Sequence, residues 1–180
     1  GNFTLANFPG ARIEDSNFSR AVLTNVNFAS ARINGVRFDN ADLQGTSFAK
    51  ADVNGTDFTG ANLRSADLSN ASFSNVKMPN ASLRGTFIWK TSLKGVDLNG
   101  GDLTNLNSSG ADFTNANLKN IRISGLLTGA DFSGADLTGA DLTGADFSGA
   151  NLTRAQLKDA IGFNPANYTD VTYNETFLPD

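Results

Sequence analysis

The sequence predicts an all-β fold: a four-sided parallel β-helix of about eight stacked coils that ends in a short helical or irregular cap. Three observations predict it. Residues 130–149 read ADFSG ADLTG ADLTG ADFSG, one five-residue unit written four times. From residue 3 to residue 123 every fifth residue is apolar, with the exception of Ser108. Between Phe8 and Phe58 this apolar position alternates between Phe and an aliphatic residue.

Each unit has the order small, polar, large apolar, polar, turn. Side chains alternate between the two faces of an extended segment, so the first and third residues share the interior and the second faces water. Gly and Asn, which are common at the fifth position, tolerate the positive φ of a corner. One unit therefore forms one short wall and one corner, and only stacking on other coils can bury its apolar face.

The alternation of Phe favours four walls in each coil. With a coil of twenty residues, Phe8, Phe28 and Phe48 stack in one column, and Phe18, Phe38 and Phe58 stack in the opposite column. A coil of three walls would scramble both columns, because successive Phe residues would fall on different walls.

Two local departures interrupt the pattern. Leu106 is large where a small residue is expected and Ser108 is small where a large one is expected, which indicates an exchange of volume within one wall. After Ile123 the reading frame slips by one residue, and the unit near residues 124–127 is one residue short. A local distortion is expected there.

The two ends of the chain differ. We expect the β-helix to cover residues 1–158 and a cap and tail to cover 159–180. Residues 154–160 (RAQLKDA) contain good helix formers, with Leu157 and Ile161 at helical spacing, and predict a short helix. The repeat is already in frame at Gly1, so we expect either a capping segment before residue 1 or self-association through an open coil end.

The ADLTG-type units resemble those of the pentapeptide repeat family over residues 1–158. The resemblance implies a right-handed quadrilateral β-helix. It implies little about function, because members of this family have diverse roles.

Composition narrows the classes of function. The chain has 180 residues, a net charge of −4, no His and no Cys. An acidic chain is not expected to bind nucleic acid directly by neutralising phosphates. The absence of His and Cys removes the common general base, nucleophile pairs and metal ligands, and the repeat carboxylates point outward from a convex rod. We therefore predict no catalytic residue, no cofactor and no metal site.

The sequence contains no apolar run long enough to span a membrane and no secretory signal. A soluble chain that does not bind membranes is therefore expected, with the cytoplasm as the default compartment and a processed N-terminus left open.

One stretch departs from the polar exterior. In residues 86–90 (TFIWK), Ile88 takes the core position, so Phe87 and Trp89 are expected to point outward from one wall. Arg64, Arg84 and Lys90 lie on the adjoining corners and complete the candidate protein-interaction site. Exposed aromatic side chains among basic ones are typical of interface hot spots. The alternative is that Arg84 and Lys90 cover Trp89 in a local cation–π cluster without a partner.

Two functions follow from these observations. The first is a non-enzymatic structural or interaction module, a stiff rod that presents side chains to a protein partner. The second, implied by the resemblance, is a DNA mimic that binds DNA gyrase, a type II topoisomerase. A mimic needs a continuous acidic stripe, whereas residues twenty apart mix their charges, as in Arg37, Asp57, Lys77 and Asp97.

Overall fold

The fold was analysed in a computed structural model, which describes residues 1–179, with Asn167 described by its backbone alone. Seven short strands and one turn of 3₁₀ helix at Pro165–Asn167 stand out from a chain that otherwise forms single bridges and turns. The strands are β1 (Arg12–Glu14), β2 (Arg32–Asn34), β3 (Asp52–Asn54), β4 (Ser72–Ser74), β5 (Asp102–Asn107), β6 (Arg122–Leu126) and β7 (Ala145–Asp146).

Parallel pairing between residues twenty apart builds the solenoid. Strands β1 to β4 form one sheet in sequence order, with Arg12 opposite Arg32 and Asp52 opposite Ser72. Bridges with the same spacing run down the other three walls, for example from Asn2 to Val22 and on to Asp42. The coil therefore has four walls, as the alternation of Phe predicts, and the parallel β-helix is confirmed.

The interior is a continuous stack of apolar side chains. Phe28 lies over Phe8 and under Phe48, with ring centroids 5.6 and 5.3 Å apart. Phe38 stacks on Phe58 in the opposite column at 5.0 Å and meets Phe28 edge-on across the interior at 6.1 Å. Burial of these rings, together with the alanines between them, holds the coils together.

In many units the polar second residue supports the corner that follows it. The Asp57 carboxylate accepts hydrogen bonds from the backbone N–H and the hydroxyl of Thr59, at 2.9 and 2.6 Å. Asp112 accepts from the backbone N–H of Thr114 at 2.8 Å. The aspartates and asparagines of the repeat thus serve as turn acceptors, a local role typical of these side chains.

The frame slip lies between β5 and β6. Leu103 pairs with Ile123, but the next pair is Leu106 with Gly125, so the spacing between coils changes from twenty to nineteen residues. Gly125 takes the place of a small inward residue directly beside Leu106. Leu106 and Ser108 are both buried, in accordance with an exchange of volume within this wall.

The helix predicted over 154–160 is wrong, because this segment continues the β-helix. Gln156 bridges both Asp136 and Phe177, Ala155 and Leu157 are buried, and Arg154 has a φ of 60°. The preceding coil offers a row of unpaired backbone groups, and pairing with it outweighs the weak preference of these residues for helix. Among residues 1–179 no helix is long and apolar enough to cross a membrane.

Beyond Gly162 the chain covers the last coil with aromatic side chains. Phe163 and Tyr168 both pack edge-on against Phe147, with centroids 5.7 and 5.6 Å away. The chain then returns to the walls, since Thr172 bridges Asn151. This part of the predicted cap is therefore more regular than expected, and its last residue, Asp180, lies outside the described part of the chain.

Candidate functional site

One wall of the solenoid differs from the other three, and we call it the aromatic wall. Its outward column consists of Asn7, Asn27, Ser47, Asp67, Phe87, Asn107, Leu126 and Asp146, which are joined in this order by parallel pairing. A large apolar side chain occupies the outward position twice in this column, where the repeat otherwise supplies a polar residue.

Phe87 and Trp89 project from this wall as the sequence predicts. Ile88 between them is fully buried, while Phe87 is 52% exposed and Trp89 is 46% exposed. The backbone fixes this alternation: Phe87 donates its N–H to Ala66 of the coil before it, at 2.9 Å, and Ile88 donates to Asn107 of the coil after it, at 3.2 Å. The two aromatic side chains are therefore held outward by a segment that hydrogen-bonds to the coils on both sides.

The basic residues of the predicted site lie on the two corners that border the aromatic wall. Arg64 and Arg84 occupy the same corner position in adjacent coils, where their carbonyl groups accept from Gly45 and Ser65. All three basic residues, Arg64, Arg84 and Lys90, are exposed. None of them takes part in a salt bridge within the described residues 1–179.

The alternative for Trp89, a local cation–π cluster with Arg84 and Lys90, is observed in part. The Nζ atom of Lys90 lies 4.5 Å from the centroid of the Trp89 ring, in a cation–π arrangement. Over the described part of the chain, the structure records no such contact for Arg84. Lys90 leaves nearly half of Trp89 accessible, so local packing does not account for the whole side chain.

Leu126 is the member of this surface that the sequence reasoning missed. It is 51% exposed and pairs with Asn107, which in turn bridges Phe87. The signal lies in the slipped frame: once Leu127 is the core residue, Leu126 must take the outward position. Phe87, Trp89 and Leu126 together form what we call the apolar patch.

Large apolar side chains are also exposed elsewhere, but Leu5 lies in the first coil, and Ile161 and Phe177 lie in the last coils. A shallow recess over β1 to β3 is bordered by Arg12, Arg32 and Asp52, but Arg12 is paired with Glu14 at 2.8 Å. Within residues 1–179 no group of three or more acidic, His or Cys side chains could hold a metal ion. The apolar patch is therefore the strongest candidate for a functional site.

Comparison with known proteins identifies the repeat. The profile described as pentapeptide repeats matches residues 126–161 in eight copies, and the profile described as a pentapeptide repeat region matches residues 2–68 and 32–108. Comparison with curated protein sequences found no match.

Among the solved structures that are similar to this chain are those of two named proteins. One is HetL, a pentapeptide repeat protein involved in heterocyst differentiation regulation from the cyanobacterium Nostoc sp. strain PCC 7120, with a TM-score of 0.81, 22% identity and coverage of 97% of this chain and 88% of HetL. The other is QnrB1, a plasmid-mediated fluoroquinolone resistance protein, with a TM-score of 0.52, 18% identity and coverage of 99% and 93%. At these identities the likeness concerns the fold alone. Since the family profiles match most of its length, this chain belongs to the pentapeptide repeat family.

Proposed function

We propose that this chain is a non-enzymatic, protein-binding rod whose contact site is the aromatic wall, with Phe87 and Trp89 as anchors and Arg64, Arg84 and Lys90 at its borders. The observation that carries the proposal is the exposure of two neighbouring aromatic side chains on a segment that hydrogen-bonds to the coils before and after it. Aromatic residues held outward in this way are enriched among the residues that dominate binding energy.

The fold gives no reason for Phe87. In several coils the residue at this position accepts a hydrogen bond from the backbone N–H two residues further along, as Asp67 in the coil before Phe87 does from Ser69 at 2.9 Å. Phe87 has no acceptor atom for Trp89, so this coil forgoes the bond that Asp67 makes. A side chain kept against the local preference of the fold is typical of a functional position.

A non-enzymatic role agrees with the available side chains. The chain has no His and no Cys. Repeat carboxylates such as those of Asp57 and Asp112 are occupied as acceptors for backbone N–H groups at the corners of a convex surface. The interior is filled with Phe, Leu and Ala side chains, which leaves no space for a cofactor.

The alternative, a DNA mimic directed at gyrase, finds less support. Arg37, Asp57, Lys77 and Asp97 follow one another down a single wall, so that opposite charges alternate at strand spacing. Arg12 and Arg32 begin another wall. A mimic requires an uninterrupted acidic stripe, and these columns do not form one.

The test is retention of partners from a lysate of the source cells by the immobilised chain. The double variant Phe87→Ser/Trp89→Ser should lose a partner that the unchanged chain retains, with at least a tenfold drop in affinity, because hot-spot truncations typically cost about 2 kcal/mol or more. The matched control is Lys77→Ser/Pro79→Ser, which changes the same repeat positions on the opposite wall.

Purified gyrase serves as a second arm. If the double variant retains the same partners as the unchanged chain, the aromatic wall is not the contact site. Binding of gyrase that survives the double variant would favour the DNA-mimic alternative. All variants are compared only after circular dichroism shows that they keep the β-helical spectrum.

A further inference from the structure

We propose that the occupant of the aromatic wall is an acidic protein segment carrying apolar side chains, and that Leu126 is the third apolar contact for it. This inference rests on the proposed function and adds the chemistry of the partner and a residue outside the TFIWK stretch. Two independent features carry it: the shape that the frame slip gives the patch and the local reversal of charge.

The shape follows from the pairing. Asn107 bridges Phe87 on one side and pairs with Leu126 on the other, so one coil with short side chains separates two coils with large ones. At the usual strand spacing, Phe87 and Leu126 lie roughly 10 Å apart. Asn107 and Ser109, the corresponding residues of the coil between them, have shorter side chains. We expect a gap of this width to accept one apolar side chain at a time, with Phe87 and Trp89 as one border and Leu126 as the other.

The frame slip creates the second border. Because one corner residue is missing after Ile123, Gly125 takes the inward position beside Leu106, and Leu126 is turned outward. Without the slip, Leu126 would not occupy the outward position of this column. The distortion of the fold and the extension of the patch therefore have the same structural origin.

The aromatic wall and its two bordering corners carry a positive net charge, unlike the chain as a whole. From Asn27 to Leu126 the outward column of the aromatic wall contains a single acidic residue, Asp67. Its two bordering corners over the same coils contain four basic residues and no acidic one. These basic residues are Lys50, Arg64, Arg84 and Lys90. The net charge of this surface is thus +3, from four basic residues and one acidic, in a chain whose net charge is −4.

These basic side chains are available to a partner. Lys50, like the other three, is exposed, and none of the four forms a salt bridge within residues 1–179. Unpaired basic groups around an apolar patch attract an acidic partner and disfavour a basic one, because like charges brought together cost several kcal/mol. An acidic segment with apolar side chains satisfies both parts of the surface.

A second copy of this chain fits the apolar patch and its basic borders less well than an acidic segment does. If two copies met face to face about a two-fold axis that sets Phe87 against Leu126 of the other copy, Asp67 of each would face Asp146 of the other. On the same axis Arg84 would face the coil of Leu126, which has no acidic residue in this column, and only Asp146 would lie at the level of Arg64.

The experiment selects peptides from a random library of about twelve residues, a length that spans the wall in extended form. The full chain is the target, and the Phe87→Ser/Trp89→Ser variant removes peptides that bind elsewhere. We expect the enriched peptides to combine Asp or Glu with Leu, Phe, Trp or Tyr. Their affinity should fall at least tenfold with Arg84→Glu/Lys90→Glu and severalfold between about 50 and 500 mM salt.

Leu126→Ser should weaken the same peptides at least fivefold, whereas Leu126→Met, which preserves an apolar side chain, should restore most of the affinity. The matched control, Asn117→Ser on the opposite wall, should leave binding unchanged. All of these changes lie at exposed or half-buried positions, so each variant is expected to fold, and its melting curve verifies this.

Several outcomes would overturn the inference. They are enrichment of basic or uncharged peptides, no enrichment at all, indifference to the charge reversal, or indifference to Leu126→Ser. Dimerisation of the chain through Phe87 and Trp89 in sedimentation, or binding to vesicles of phosphatidylserine and phosphatidylcholine in preference to the peptides, would also overturn it. A lysate partner lost with Phe87→Ser/Trp89→Ser but unaffected by the charge reversal and by Leu126→Ser would sustain the proposed function and reject this inference alone.

Discussion

At the level of single residues, the second position of many repeat units links the coil to its own corner. Asp131 and Asp146 accept hydrogen bonds from the backbone N–H groups of Ser133 and Ser148 at 2.8 and 2.9 Å. Where asparagine takes this position, its amide group also binds the coil before it, as Asn62 Nδ2 does when it donates to Asp42 at 2.9 Å. Much of the acidic character of the chain is therefore explained by turn formation.

This role leads to a prediction for Phe87. In Phe87→Asn the new side chain is positioned to accept from the Trp89 N–H and to donate to Asp67, as Asn117 donates to Asp97 at 2.9 Å. We expect the free energy of unfolding to rise by up to about 1 kcal/mol, the usual net contribution of such hydrogen bonds. Thermal or urea unfolding measures it.

The matched control is Phe87→Leu, which keeps an apolar side chain and supplies no acceptor, and which should bring no gain. The free energy of unfolding of Phe87→Asn could instead be lower than that of Phe87→Leu by about 1 kcal/mol or more. The fold would then require an apolar side chain at this position, and Phe87 would be a structural residue.

At the scale of elements, the most unusual pairing is that of β5 with β6. Gly125 has a φ of +103°, and a Cβ atom there would meet the carbonyl oxygen of Leu106 and lie 2.8 Å from its nitrogen. Backbone atoms in a paired strand cannot move aside easily. The short unit is therefore accommodated only because its inward residue has no side chain and adopts a conformation that other residues avoid.

Gly125→Ala should therefore cost about 3 kcal/mol, combining backbone strain with overpacking. The control is Gly95→Ala, at a corner with a φ of +66° and no atom within 4 Å of the added Cβ. Its cost should be only about 1 kcal/mol, the strain of a left-handed residue alone. Chemical unfolding of both variants tests the difference, and equal costs would mean that the close approach of Leu106 is unimportant.

The segment 154–160 shows that the helix preference of its residues does not decide its secondary structure. Its residues favour helix in isolation, and the spacing of Leu157 and Ile161 fits one helical face. The same residues also fit the repeat, with Ala155 and Leu157 inward. Pairing with the coil before it decides between the two, and that contact is not visible within seven residues of sequence.

At the scale of the whole molecule, the repeat carboxylates make stability depend on pH. A hydrogen bond from Ser19 at 2.5 Å lowers the pKa of Asp39, and hydrogen bonds from Thr143 and Ser148 lower the pKa values of Asp141 and Asp146. Burial acts to raise the pKa of Asp136, but hydrogen bonds from Thr138 and Lys119 outweigh it and lower the pKa.

Each of these carboxyl groups has a lower pKa in the folded chain than in the unfolded chain, so protonation favours unfolding. The stabilisation is complete above the ordinary carboxyl pKa of about 4 and is lost as the pH falls through the lowered values. We expect the melting temperature to be nearly constant from about pH 7 to pH 5 and to fall steadily below pH 4.

Asp39→Asn provides the control, because it removes one of these groups. Its melting temperature should be lower than that of the unchanged chain at neutral pH and should depend less on pH below 4. A melting temperature that rises on acidification would show that repulsion among the aspartates outweighs their hydrogen bonds.

The coil, its four walls and the outward direction of Phe87 and Trp89 can all be derived from the order of the residues. The reason is that inside and outside follow from alternation between adjacent residues, a relation confined to one unit. The positions of Arg64, Arg84 and Lys90 on the bordering corners followed from the same count of twenty residues in each coil.

Which residues of adjacent coils lie side by side near the frame slip and near the end of the β-helix depends on the folded chain. The tertiary structure turned Leu126 outward beside Asn107, since the missing corner residue changes the spacing between coils and places Gly125 against Leu106. It also drew residues 154–160 into the β-helix, because the backbone groups of the preceding coil were available for pairing. Both results depend on contacts between residues about twenty positions apart, which no single unit of five residues contains.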